Sequence, residues 1–164
     1  MSLTARRITA QAITPSAFEP FGWLPVADSD PADGRRRLEF AWADPHVNVI
    51  CHGPEEVRHG PDGLWCDRMF RHVSHTQALL VLDNDSVLAV APAGVAFSGE
   101  DDVGSVRAFR LGVHASVVLD RGTWHWGPFP VGKEAVHLYN LQGYEFARDN
   151  DSVDLARFAI LVEP

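Results

Sequence analysis

Short alternating or β-branched runs, each closed by turn residues, constrain this chain more than any other feature. Val47-Asn48-Val49-Ile50-Cys51-His52 is β-branched and partly alternating. Ala78 to Leu82 and Val87 to Ala91 flank the polar Asp83-Asn84-Asp85, a pattern that predicts a hairpin. Val106 to Leu111 alternates, Ala115 to Leu119 runs into Asp120-Arg121-Gly122, and Ala135 to Leu141 reads as one more strand. Turn signals at a spacing of roughly 8–12 residues between short strands indicate a sandwich or barrel. A doubly wound α/β fold needs helices of about 10–15 residues between its strands, and none is legible here.

Two segments depart from the strand pattern. Ile13 to Gly22 reads as an entry module, in which Thr14 caps a short helical turn with Pro15 at its first position. Phe18 and Phe21 would share one face of it, and Pro20 and Gly22 stop it. Asp154 to Leu161 is the one later stretch with a helical reading.

The 164 residues, 46% hydrophobic and 22% charged, suit a single folded domain spanning 1–164. The net charge of −8 argues against nucleic acid, which requires a basic footprint. The dense basic run Arg35-Arg36-Arg37 follows Asp33-Gly34 and is expected on a solvated turn. No apolar run approaches the roughly 20 residues needed to span a bilayer. Met1 to Ala12 holds no apolar stretch of signal-peptide length, and Cys51 and Cys66 form no CxxC. The expectation is a cytoplasmic protein, with no membrane partner and with reduced cysteines.

Chemistry concentrates in the eight histidines. His72 and His75 precede the Leu79 strand, His125 follows the Asp120-Arg121-Gly122 turn, and His137 lies in the next strand with Tyr139 two positions on. A barrel sets such strands side by side, so these imidazoles could meet in its mouth, where small molecules commonly bind. His75 is expected on an exposed loop. His46, His52, His59 and His114 read as surface or turn residues, with an inward direction open for His52. Trp124 and Trp126 bracket His125 and read as core packing or as pocket walls.

Val118 to Pro128 resembles the second cupin motif, in which a turn glycine precedes an inward histidine by three positions; Gly122 and His125 match, and Asp120 replaces the usual proline. The first cupin motif supplies a His-x-His pair and a glutamate. Here the region reads Arg71-His72-Val73-Ser74-His75-Thr76-Gln77, with a different histidine spacing and a glutamine. A more particular resemblance is to the ureidoglycolate lyase family. It rests on Ile13 to Gly22, Arg71-His72, Gln77-Ala78, Arg107-Ala108-Phe109 and Arg121-Gly122-Thr123-Trp124-His125, in that order. Phe70 stands where the family has a glutamate, Trp126 replaces a histidine, and Asn140-Leu141-Gln142-Gly143 replaces an ending in Asp-Arg-Gly.

The resemblance implies an all-β, cupin-type barrel of the jelly-roll kind with short peripheral helices. It also implies a homodimer and an enzyme that splits ureidoglycolate into glyoxylate and urea. Such cleavage needs a base, an acid and a cation for the substrate carboxylate. His72 and His125 are the expected acid–base pair. Arg71 or Arg121 would hold the carboxylate. Gln77 would orient the substrate, and Trp124, Trp126, His137 and Tyr139 would complete the pocket. No cofactor is expected; a divalent metal on His72, His75 and His125 is the alternative. The other open functions are a cupin enzyme for a different small hydroxy or keto acid and a non-catalytic binding domain.

Overall fold

The computed structural model describes residues 5–25, 27, 36–41 and 44–164. Three sheets account for its strands. The first has the spatial order β3 (Gly22–Trp23), β10 (Ser116–Leu119), β7 (Gln77–Val81), β12 (Val136–Gly143), β4 (Pro45–His52). The second runs β13 (Asp151–Asp154), β6 (Arg68–Arg71), β11 (Trp124–Pro130), β8 (Ser86–Ala91), β9 (Arg107–Leu111), β2 (Gln11–Ala12). A small third sheet joins β1 (Arg6–Thr9), β14 (Ile160–Glu163) and β5 (Leu64–Trp65).

Chain order explains the architecture. β4, β7, β10 and β12 fall in the first sheet, and β6, β8, β9 and β11 in the second. The chain therefore crosses between sheets at almost every connection, the β8–β9 antiparallel hairpin excepted. The resulting orders, β10-β7-β12-β4 facing β6-β11-β8-β9, are those of a jelly roll. The all-β, jelly-roll class expected from the sequence is the class adopted, though as two facing sheets and not a closed barrel among the described residues.

Two expectations fail. Asp83-Asn84-Asp85 does not close a hairpin, because β7 pairs with β10 and β12 while β8 pairs with β9 and β11. The polar turn instead arches from one sheet to the other. β8 is buried at every position, since Leu88 and Val90 join the cluster between the two large sheets while Val87, Ala89 and Ala91 join a second cluster with Ile160 and Val162 of the third. A strand covered on both faces carries no alternation to reveal its partners. The Asp154 to Leu161 stretch is also not a helix. It comprises the end of β13, one 3-10 turn (Ala156–Phe158), left-handed Ala159 at φ 48° and the start of β14. Leu155, Ile160 and Leu161 are buried there by β-pairing and the second cluster.

The entry module forms as expected. Helix α1 (Pro15–Phe18) is capped by Thr14, whose hydroxyl accepts the Ala17 N–H at 3.3 Å. Phe18 and Phe21 are buried with ring centroids 6.0 Å apart, and Phe109 stands 5.4 Å from Phe18. Among the described residues, α2 (Glu100–Val103) is the second short peripheral helix.

Inward residues change character along the strands, and this change positions the site. β7 presents Val81 and Leu79 to the core, then Gln77; β12 presents Val136 and Leu138, then Asn140 and Gln142, all of them buried. The interior thus turns polar toward one end of the roll.

Candidate functional site

At that polar end a cavity of about 260 Å³ opens between β4 and the β6–β11 side of the second sheet. Its polar wall holds His72, His125, Gln77 and Gln142; Phe70, Trp126 and Phe129 form an apolar wall. His72 follows β6 directly. His125 is the second residue of β11, opposite Phe70 and Val90, so it points between the sheets. Backbone bonds join the two segments: Gly122, at φ 81°, donates its N–H to the His72 carbonyl at 2.6 Å. A left-handed residue is needed there, which gives a physical reason for the turn glycine before His125. A second left-handed glycine, Gly127 at φ 84°, sits at the irregularity in β11 between Trp126 and Phe129. A Cβ there would meet the Phe129 nitrogen at 2.7 Å and the Val87 oxygen at 2.8 Å.

The three neighbouring imidazoles are buried, with His72 stacked on His75 and tilted against His125. The His72 ring lies 4.6 Å from His75 and 5.3 Å from His125. His75, expected on an exposed loop, is only 3% exposed. The reason is Asp149, itself buried, whose carboxylate accepts the N–H groups of Val73 and Ser74 at 2.9 and 2.7 Å and bonds His75 Nδ1 at 3.1 Å. His72 Nδ1 donates to the Asp149 backbone carbonyl, and His125 Nδ1 to that of Thr123 at 3.3 Å. Carbonyls only accept, so in both rings Nδ1 carries the hydrogen and Nε2 is left bare.

Burial sets the charge of this group. Desolvation is the main cause holding His125 down to about 3, reinforced by His72 and His75 and opposed by the Thr123 bond. His75 is lowered to about 4 by desolvation and then by His72, against the pull of Asp149. His72 is lowered as well, by desolvation, with the Asp149 bond and charge opposing. At neutral pH all three are neutral, and the two that line the cavity offer proton-accepting nitrogens.

Gln77 adds a directed acceptor. Its Nε2 donates to Asn140 Oδ1 at 2.9 Å, and Asn140 Nδ2 donates to Asn48 Oδ1 at 2.8 Å. This amide chain fixes which end of Gln77 is free: Oε1 is buried without a partner. A buried acceptor left open is costly unless a ligand N–H or O–H fills it.

His72, His125, Gln77 and Trp126 thus come together, and the other expected site residues stand elsewhere. Arg71 lies on the outer face of the second sheet, its guanidinium 4.3 Å over Trp124 and 3.0 Å from Asp151. Phe70 takes the cavity side because successive strand residues alternate. Trp124 packs outward against Phe97 and donates its indole N–H to Val95 at 2.9 Å. His137 and Tyr139 point to the outer face of the first sheet, where His137 pairs with Asp83 and Tyr139 is 45% exposed. Arg121 donates to the Val73 carbonyl at 3.0 Å and faces Glu39 at 3.5 Å. With Arg36 and Arg37 it lines a separate polar cavity of about 540 Å³ that also holds Glu19, Glu39 and Asp120. Desolvation and then Glu39 raise the Asp120 pKa there, against Arg36. Arg35 lies outside the described residues.

The residues do not form a fitting metal centre. Among the described residues the atoms of His72, His75 and Asp149 come within 4.8 Å of one another. Both Asp149 oxygens, however, already accept hydrogen bonds, and His72 Nδ1 is committed to a carbonyl. His75 stands behind His72 and does not line the cavity. The cavity lining holds three imidazoles, His52, His72 and His125, and no carboxylate, and among the described residues these three do not come within metal-binding reach of one another as a group.

Sequence reading assigned no role to Gln142 or Asp149 and left the direction of His52 open. Gln142 shares the inward phase of Leu138 and Asn140, and His52 that of Ile50. That two-residue period could have found Gln142 and settled the direction of His52. Asp149 has no local signal, because its partners lie some 75 positions away.

No curated protein matches the chain. Among solved structures it is similar to an oxalate decarboxylase, at 12% identity and a TM-score of 0.41 over 82% of this chain and 28% of that one. It is also similar to a dTDP sugar isomerase from Desulfovibrio desulfuricans G20, at 12% identity and a TM-score of 0.46 over 83% of this chain and 76% of that one. The chain thus spans well under a third of the first of these proteins. A family model described as ureidoglycolate lyase matches residues 32–157, which is most of the chain and includes the whole imidazole cluster. On that match, the chain belongs to the ureidoglycolate lyase family.

Proposed function

We propose that the chain is a lyase that breaks the carbon–nitrogen bond of a small ureido-bearing carbinol, with ureidoglycolate as substrate and glyoxylate and urea as products. The observation that carries this reading is the pairing of two neutral imidazoles, His72 and His125, with the open acceptor Gln77 Oε1 on one small cavity.

In the proposed reaction a bare Nε2 of the pair takes the hydroxyl hydrogen. The oxygen's electrons form the carbonyl as the carbon–nitrogen bond breaks, and the bond pair leaves on nitrogen. The departing nitrogen then needs one hydrogen, which the imidazolium just formed can return. Gln77 Oε1 accepts a ureido N–H, so a nitrogen-bearing substrate satisfies a buried amide oxygen that has no partner in the protein. Trp126, Phe70 and Phe129 limit water. The carboxylate is the position at which this cavity differs from the arginine-held site expected from the sequence. Arg71 and Arg121 are turned away, and the amides of Gln142 and Asn150 are the donors left to meet it.

That same feature favours a second reading. No arginine or lysine lines the cavity among the described residues. A substrate of the same size without a carboxylate, or another small hydroxy or keto compound, would bind with less desolvation cost. The assay that tests both follows urea and glyoxylate release from ureidoglycolate, in parallel with loss of its uncharged amide counterpart. Turnover of ureidoglycolate supports the first reading, turnover of the amide alone supports the second, and turnover of neither, by folded protein, rejects both.

A further inference from the structure

A third imidazole meets this cavity, in surroundings unlike those of the other two. His52 ends β4 on its inward phase, lines the cavity, and lies 4.9 Å from the Phe129 ring. The chain then enters a single 3-10 turn, Pro54–Glu56, which brings Glu56 back over the strand end. Glu56 Oε2 is 3.0 Å from His52 Nδ1, and Glu56 Oε1 accepts the Gly53 N–H at 2.8 Å. Desolvation works against this carboxylate, yet the His52 and Gly53 bonds outweigh it and hold Glu56 below the usual glutamate range. An ionised carboxylate only accepts, so the shared hydrogen belongs to Nδ1, and Nε2 is the His52 nitrogen left to meet a ligand. A proton-transfer imidazole oriented by a carboxylate has this arrangement.

A separate proton donor would spare the base from having to return the hydrogen it has just taken. Carbon–nitrogen cleavage needs an acceptor at the hydroxyl and a donor at the departing nitrogen. His72 and His125, both buried and neutral, begin as two acceptors. His52 stands beside a carboxylate, with its side chain 24% exposed, so its proton can be replaced from solvent after each turnover.

Resting on the carbon–nitrogen lyase reading, we propose that His52, oriented by Glu56, is the general acid of the site. In its imidazolium form it gives the Nε2 hydrogen to the departing nitrogen while His125 takes the hydroxyl hydrogen. The bond pair of the broken bond accepts the His52 proton, and His52 keeps its Nδ1 hydrogen on Glu56. Afterwards His125 releases its proton and His52 regains one from water. Glu56 acts as the positioning residue.

The test compares wild type, His52→Gln, Glu56→Gln and Glu56→Asp on ureidoglycolate and on an N-aryl ureido analogue, whose departing nitrogen needs less protonation. His52→Gln is expected to lower kcat on ureidoglycolate by ~10²- to 10³-fold with KM changed by no more than about threefold. On the aryl analogue the deficit is expected to shrink to within about tenfold, since an acid matters less there. Glu56→Gln is expected to lose about tenfold in kcat and Glu56→Asp to recover most of it. Equal deficits on both substrates, or an unchanged kcat, would overturn the assignment while leaving the lyase reading intact. No turnover by wild type overturns both. Should His52→Gln fail to fold, judged by circular dichroism, the same two-substrate comparison on Glu56→Gln decides.

Discussion

The backbone carbonyl of Asp149 accepts the Nδ1 hydrogen of His72, across 77 positions of sequence. The bond fixes the tautomer of His72 and leaves Nε2 as its reactive nitrogen. The Asp149 side chain, in the same place, caps Val73 and Ser74 and pairs with His75. One buried residue therefore organises the whole turn that carries two of the imidazoles.

Replacing that residue tests the dependence. Asp149→Ala leaves two backbone N–H groups and a histidine without their acceptor and is expected to cost about 1–3 kcal/mol of stability. Urea denaturation monitored by tryptophan fluorescence measures it. An unchanged midpoint would show that the turn holds without the carboxylate.

Removing the cavity imidazole beside Trp126 tests the chemistry. His125→Ala is expected to fold and to lose ~10²- to 10⁴-fold in kcat. Steady-state release of glyoxylate reads it. Turnover within about twofold of wild type would exclude His125 as the base.

The neutral cluster also predicts the pH dependence of stability. His72, His75 and His125 all have folded pKa values below the ordinary histidine value, His75 at about 4 and His125 at about 3. The unfolded chain takes up their protons first as pH falls. Stability from these groups is thus complete above about pH 6.5 and declines as pH drops toward the folded values. The slope reaches at most about 1.4 kcal/mol per pH unit for each proton. Urea midpoints at pH 7.5, 6 and 5 should fall in that order, and His125→Phe should flatten the trend. A midpoint rising on acidification would contradict the burial of neutral imidazoles.

Arg71 separates a structural role from a ligand-binding one. Its guanidinium lies over Trp124 and against Asp151, on the far face of the sheet from the cavity. Arg71→Ala is expected to cost about 0.5–2 kcal/mol in stability. Its KM for ureidoglycolate should stay within about twofold of wild type. A large rise in KM at unchanged stability would return Arg71 to the substrate.

The amide chain can be cut at its middle. Asn140→Ala leaves Gln77 Nε2 and Asn48 Oδ1 without partners and frees the Gln77 amide to reverse. KM is expected to rise more than kcat falls, with about 1–3 kcal/mol lost in stability. Kinetics beside a thermal melt distinguish the two effects; an unchanged KM would show that Gln77 orientation does not depend on Asn140.

The sequence by itself determined the class of fold, the entry module and the segments that carry the chemistry. Strand periodicity, the Thr14-Pro15 cap and the glycine before His125 are local properties, set by backbone sterics and by side chains within a few residues. Tertiary structure decided which strands pair and which face each side chain takes. The Asp83-Asn84-Asp85 turn became an arch between sheets because β8 is covered on both faces, a condition its own residues do not encode. Arg71 and His72 are adjacent in sequence, yet strand alternation placed Phe70 at the cavity and Arg71 behind it. Asp149 became the partner of His72 and His75 because loop closure brought it there, whereas Glu56 reaches His52, four residues back, through one local 3-10 turn. A hydrogen bond has no periodicity to read in advance, and burial decides how much it is worth.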